Sequence, residues 1–453
     1  MTMSELLRQV RVIDPVTGSD RQACDVLIVD GAIAAIAPQL TDYPADTQVK
    51  DCQGSILGTG LVDLYSHSGE PGFEERETLA TLAAAAAAGG FTRVNLLPNT
   101  VPPVDNSAVA LRLMQQGAGS RGAEELREKD RSRLRGSDAE DTSPGTRFPT
   151  PDSRLPQLSF WGALTTGVQG QQMTELAELG AAGIVGFADG QPIENWGLLR
   201  RMLEYLKPLD KPVALCACHR GLVGNGVVRE GVYSMRSGLP GNPAIAETTA
   251  LAALLELIAA IGTPVHLMRV STARSVELIA TAKERGLPIT ASTTWMHLLL
   301  DTKALSSYNP ALRVEPPLGN PEDVLALRQG VRTGVIDAIA IDHTPYTYEE
   351  KTVAFAEAPA GAIGLELALP LLWENLVATG EFSALELWQA LSHRPAGCLQ
   401  QNVNAIAPNS PAELILFDPQ HTWTVTQQTL KSRSHNTPWL GQQVNGRVVK
   451  IWL

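Results

Sequence analysis

Short apolar runs recur along the middle of the chain, and a helical pattern separates each from the next. The runs are ILGTGLVDLYS (56–66), FTRVNLLP (91–98), LSFWGAL (158–164), AGIVGFAD (182–189), PVALCAC (212–218), PVHLMRV (264–270), LPITAST (287–293) and DAIAIDH (337–343). Between them lie helical stretches such as ETLATLAAAAAAGG (77–90), NPAIAETTALAALLELIAAIG (242–262) and TARSVELIATAKERG (272–286), with Pro and Gly at most boundaries. Strands that are apolar almost throughout must be covered on both faces, so the alternation predicts a parallel sheet wrapped by helices. Eight such units predict a (β/α)8 TIM-like barrel, in which chemistry belongs at the C-terminal ends of the strands.

The two ends of the chain differ from the middle. VRVID, CDVLIVDG and AIAAIAP open it, and AELILFDP, TWTV and GRVVKIWL close it, all with strand character. Residues 1–55 and 401–453 are therefore expected to form one small composite β domain, and residues 56–400 the barrel. Residues 120–154 are rich in charge, Ser and Pro and poor in large apolar residues. Such a segment cannot bury enough surface to offset its ordering entropy, which predicts a disordered insertion. Lys plus Arg number 36 against 48 Asp plus Glu, a net charge of −12 that argues against nucleic acid or an anionic membrane as partner. No apolar run nears the ~20 residues that span a bilayer. The opening residues lack a signal core, and five irregularly spaced cysteines do not make a disulfide framework, so a cytoplasmic protein is expected.

The predicted strand ends carry a recognisable series of motifs. DLYSHSGEPGFEERET (63–78) resembles the Asp-x-His-x-His-x-Arg-Glu-Pro-Gly-Phe-Glu signature of dihydroorotases, members of the amidohydrolase superfamily. LPNTVPPVDN (97–106), GLPGNPAIAE (238–247), HLMRVSTARSVELI (266–279), YNPALRVEPPL (308–318), IDAIAIDHTPY (336–346) and SRSHNTPWLGQQVNGRVV (432–449) continue the likeness in the family's order. The resemblance implies a metallo-dependent hydrolase barrel. In it zinc, held by histidines and carboxylates, activates water against a cyclic amide, and arginines hold the substrate's carboxylate.

Set against that pattern, the site is altered. His67 matches one histidine of the first strand, but Tyr65 stands where its partner is expected. Gly69 replaces a substrate-binding arginine, and Gly319 replaces another. Cys216 and Arg269 stand at histidine positions of the fifth and sixth strands. Asp189 matches a metal-bridging carboxylate, and Asp342 the family's base and metal ligand. Asn99 and Asn309 match substrate contacts. His67, Asp189 and Asp342 are thus remnant metal ligands. A phenol is a poor zinc ligand at neutral pH, and a permanent cation at Arg269 has no lone pair to give. Arg269 is expected to neutralise Asp189 and Asp342 in place of a metal, with His297 and His343 structural or rim residues. Cys216 and Cys218 are expected to be inert buried thiols, unable to enter one site as a chelating pair.

The resemblance therefore implies a dihydroorotase-like protein of pyrimidine biosynthesis, catalytically inactive, without cofactor, and acting as a structural or assembly subunit. Aspartate transcarbamoylase or self-association supplies the partner. The alternative is an active dihydroorotase, or a related cyclic-amide hydrolase, with an unusual zinc site such as His67, Cys216 and Asp342.

Overall fold

The computed structural model describes residues 4–116 and 155–453. The segment read as a disordered insertion, 120–154, lies outside the described residues. The barrel is built from two four-stranded parallel sheets. The first runs Leu61–Ser66, Phe91–Leu96, Gln157–Gly162 and Gly186–Phe187. The second runs Ala214–Cys216, Val265–Met268, Ile289–Thr294 and Ala338–Ala340. A parallel bridge from Phe187 to Val213 joins them on one side. On the other side the ring closes through Asp342 N to Tyr65 O (3.1 Å) and His67 N to His343 O (2.8 Å). Buried Asp63 adds to this seam: its carboxylate accepts from Ile341 N at 2.8 Å.

Helices cover the outside. Thr78 caps the helix Leu79–Gly89 at its start, and Gly90, in the left-handed region, ends it. Leu251, Leu254 and Ile258 form the buried stripe of Ile245–Ile261. Inside the ring a separate apolar cluster includes Val62, Leu64, Tyr65, Trp161, Ala188, Ala214, Met268, Ala338 and Ala340. The barrel is therefore filled, and room for a ligand lies at its C-terminal end. No helix among the described residues is long and apolar enough to cross a membrane.

Both ends of the chain meet in one seven-stranded sheet. Its order is Gln443–Trp452, Leu414–Thr424, Ile56–Thr59, Ser4–Asp14, Ser19–Val29 and Ala32–Ala37, with Gln48–Asp51 also paired to Ser4–Asp14. The boundary expected between residues 55 and 56 needs correction. The run 56–66 is two strands, and Ile56–Thr59 belongs to the terminal sheet, where it pairs with Leu414–Phe417 and Arg11–Ile13. The break falls at Gly60, where a Cβ would lie 2.2 Å from the Thr92 methyl. Only glycine lets the chain pass so close to the second barrel strand while changing sheets.

Candidate active site

The C-terminal ends of the strands surround a cavity of about 260 Å3, open to solvent at the barrel mouth. His67, Asn99, Arg269, Trp295, Asp342 and Tyr346 are among its lining residues. At its floor the Arg269 guanidinium spans the barrel. Nε and Nη2 donate to the two Asp342 oxygens at 2.7 and 2.6 Å, a bidentate pair. Nη1 donates to Gly190 O at 2.6 Å and approaches Cys216 Sγ at 3.8 Å. Nη2 also lies 3.3 Å from His67 Nε2. A guanidinium can only donate, so His67 accepts at Nε2 and carries its proton on Nδ1. Burial, with Arg269 adding its repulsion against the pull of Asp342, lowers the His67 pKa to about 4. For Arg269 itself, burial opposes the charge, but Asp342 outweighs it and the pKa is raised.

Tyr65 holds this arginine in place. Its hydroxyl accepts from Arg269 N at 3.0 Å and shares a hydrogen bond with Ser292 at 2.9 Å. Ser292 in turn meets His266 Nε2 at 2.8 Å. The Tyr65 ring lies 5.5 Å beneath the guanidinium. Burial, then the Asp342 charge, raises the phenol's pKa, so Tyr65 is a neutral hydroxyl here. Arg269 and Asp342 both adopt left-handed backbone, with φ of 55° and 52°. Non-glycine residues hold that conformation only when their surroundings over-determine it. The bidentate pair and the Tyr65 bond supply that determination.

Other expected site residues fall elsewhere. Asp189 does not reach Arg269, contrary to the paired-carboxylate expectation. It is 1% exposed, and it accepts from Leu164 N (2.8 Å), Thr165 N (3.0 Å) and Thr165 Oγ1 (2.5 Å). Local donors therefore satisfy it, and burial raises its pKa. It does not join His67 and Asp342, whose Nε2 and Oδ1 are 3.9 Å apart. Asn99 lines the cavity and donates to Asp189 O. Asn309 does not line it; its side chain accepts from Ala311 N and caps a 3-10 turn. Glu315, six residues on, lines the cavity instead. Gly69 borders the cavity, but a Cβ there would lie 2.4 Å from the carbonyls of Phe73 and Glu77. The loop has closed over the missing side chain. Gly319 lies outside the lining, packed within 2.6 Å (from a would-be Cβ) of Asp323 Cβ.

The two cysteines also need correction. Cys216 and Cys218 line one smaller cavity of about 50 Å3, beside Met268 and buried Arg229. Residues two apart on a strand share a face, and the strand ends at Cys216. Burial raises both thiol pKa values, that of Cys218 to about 12. Neither is thiolate at neutral pH. His297 is buried and bonded to Thr294 and to Pro316 O. His343 is buried with Nε2 3.4 Å from Glu77, and its Nδ1 accepts from Gly364 N.

The residues at the floor do not fit a zinc centre. Zinc needs lone pairs converging on one point. Here a cation stands at that point, takes the free lone pair of His67 and engages both oxygens of Asp342. Among the described residues no group of three or more His, Cys, Asp or Glu side chains is arranged to hold a metal ion. Sequence reasoning missed Glu315 and Arg76. Arg76 lines the mouth with its charge tied to Glu350 at 3.0 and 2.5 Å. Their signal was only position within the matched motifs, since neither spacing nor residue type separates them from solvated charges.

The chain is 44% identical over 451 residues to the probable dihydroorotase-like protein of a Synechocystis species, covering 97% of this chain and 98% of that one. It is 36% identical over 448 residues to the dihydroorotase of Pelobacter propionicus, covering 99% and 97%. No family model matches. Among solved structures, the L-hydantoinase (dihydropyrimidinase) of Arthrobacter aurescens superposes with a TM-score of 0.79 at 21% identity, covering 99% of this chain and 94% of that one. The dihydropyrimidinase of Brevibacillus agri gives 0.75 at 21%, covering 99% and 93%. These likenesses carry the fold, and the two close relatives carry the kinship: the chain belongs to the dihydroorotase family of the amidohydrolase superfamily.

Proposed function

We propose that this protein is a dihydroorotase-family barrel that has lost turnover and serves as a structural or assembly subunit in the cytoplasm. One observation carries the reading: the Arg269 guanidinium occupies the floor of the site, bidentate to Asp342 and in contact with His67. Asp342 would be the base of a hydrolytic reaction. Both of its oxygens are already engaged by the guanidinium, so neither is turned toward a water or a substrate. Nor can the mouth clamp a carboxylate. Arg76 is committed to Glu350, Gly69 offers no side chain, and Glu315 brings a negative charge to the wall. The shell, by contrast, is complete: a closed barrel and a sheet joining both ends of the chain. Aspartate transcarbamoylase is the candidate partner, with self-association the other.

A second reading, a hydrolase with an unusual zinc site, is favoured by one contact. Cys216 Sγ lies 3.8 Å from the same guanidinium that touches His67 and Asp342, so a displaced arginine and some movement of the three side chains would be needed to bring these donors to a metal. Metal analysis and turnover separate the two. The subunit reading expects substoichiometric zinc, no rise in melting temperature with micromolar zinc, and no hydrolysis of dihydroorotate above background. Stoichiometric zinc, with turnover lost in Asp342→Asn, would establish the hydrolase. For the partner, a tagged chain is expected to retain aspartate transcarbamoylase from its native extract; a chain that never does so removes that candidate.

A further inference from the structure

The barrel mouth is bordered by loops from several strands, and one stretch of chain touches those that follow the first, seventh and eighth. Residues 431–439 (KSRSHNTPW) connect two strands of the terminal sheet, Leu414–Thr424 and Gln443–Trp452, and on the way reach loops of the barrel mouth. Ser432, Ser434 and Asn436 are buried, whereas Lys431 and Arg433 are exposed. The segment is thus laid down like a strand, polar face inward. Two buried carboxylates grip its start. Glu366 accepts from Lys431 N at 2.7 Å and Ser432 N at 2.9 Å. Glu77 accepts from Arg433 N at 2.9 Å and from the Ser432 hydroxyl.

Farther along, the segment bonds to loops that line the cavity. Ser434 Oγ donates to Arg76 O at 2.7 Å. Asn436 Nδ2 donates to Thr344 O at 2.9 Å and to Gly361 O at 3.2 Å, and its Oδ1 accepts from Tyr346 N at 3.2 Å. Trp439 packs on Trp295 with ring centroids 5.0 Å apart. Arg76, Thr344, Tyr346, Gly361 and Trp295 all line the mouth cavity, and Asn436 does not. Beyond residue 442 the chain becomes Gln443–Trp452, the outermost strand of the terminal sheet.

We infer that residues 431–439 are a strap that sets the geometry of the barrel mouth and couples it to the terminal sheet. Asn436 is its central positioning residue, since a single amide ties two mouth loops together. The cavity's shape then depends on how the strap is seated. A displacement of the edge strand Gln443–Trp452 reaches the cavity through this segment, with no contact at the floor. The inference does not rest on the subunit reading, because it concerns the mouth and holds whether or not the floor turns over substrate.

Hydrogen exchange on the full chain, followed by mass spectrometry, tests it. Asn436→Ala removes the bond to Tyr346 N. The expected result is exchange about tenfold faster in the peptides covering 344–346 and 361–363, the loss of one net hydrogen bond. Strands Phe91–Leu96 and Val265–Met268 should exchange as before. Arg433→Ala, which removes an exposed side chain, should leave all of these unchanged. Should Asn436→Ala fail to fold, Ser434→Ala serves in its place, with faster exchange confined to the peptide covering 73–77. Unchanged exchange at the mouth in a folded variant would overturn the strap. So would acceleration spread evenly over the barrel strands, or an equal effect from Arg433→Ala.

Discussion

Asp342 and Asp189 both stand at the ends of barrel strands and are both expected from the sequence as remnant metal ligands, yet the fold holds them in opposite ways. Asp342 is neutralised across the barrel by a full cation from the sixth strand, with its backbone forced into the left-handed region. Asp189 is held locally by two backbone N–H groups and one hydroxyl from the segment following the third strand. The first arrangement balances the carboxylate with a protein cation. The second needs no cation, because dipoles aimed at a carboxylate can stabilise it where they are fixed in place. The cost shows in protonation: burial raises the pKa of Asp189 and lifts Asp63 and Glu366, which are held chiefly by neutral donors, to about 7.

The comparison is broken most severely by Arg269→Met. Removing one partner of a buried pair leaves an uncompensated charge and costs about 3–5 kcal/mol. Denaturant unfolding should register that loss, and adding Asp342→Leu should recover part of it. An unchanged midpoint would mean that Asp342 never needed the cation. A cation should also be hard to restore at the mouth. A Cβ at Gly69 meets two backbone carbonyls, so Gly69→Ala is expected to destabilise by about 3 kcal/mol, the upper end for overpacking. Wild-type stability in that variant would show that the loop yields easily, and Gly69→Arg would then be worth testing as a carboxylate clamp.

The dipole-held corner should respond less. Asp189→Asn keeps one acceptor oxygen for the two N–H groups and loses the charge-assisted bond to Thr165, a change of about 1–2 kcal/mol. If it cost as much as Arg269→Met, the distinction between the two corners would fail. The smallest effect is in pH. The folded pKa of Glu366 is about 7, above its unfolded value, because burial outweighs the donors from Lys431 and Ser432. Its contribution is present at low pH and lost as pH rises through 7, by about 1 kcal/mol between pH 6 and 8. Unfolding free energies at the two pH values should show the decline, and Glu366→Gln should lessen it while the share of Asp63 stays. An equal slope in the variant would assign the decline to other groups.

How far the site was legible follows from the same residues. That Tyr65, Gly69 and Arg269 depart from the expected pattern is legible in a single chain because each falls inside a long motif, whereas Cys216 sits in a strand run and Gly319 just past the segment 308–318. That Arg269 turns toward Asp342 and away from Asp189 is not visible, since both are carboxylates at strand ends. The choice depends on which carboxylate has local donors, and those come from Leu164 and Thr165, far from either motif. Asn309 shows the converse. Its residue type and neighbourhood suggest a contact, but its side chain is spent capping a turn, while Glu315 faces the cavity.

The sequence alone determined the closed barrel and the joining of both ends in one sheet. Those follow from the period of apolar residues and from glycine and proline punctuation, which act over a few residues at a time. Only the tertiary structure decided that Ile56–Thr59 leaves the barrel for the terminal sheet, that Cys216 and Cys218 share a cavity, and that a guanidinium stands at the floor of the site. Each of these depends on distances between residues far apart in the chain. Hydrophobic periodicity says which face of an element is buried, but not which distant donor, acceptor or charge will meet it there.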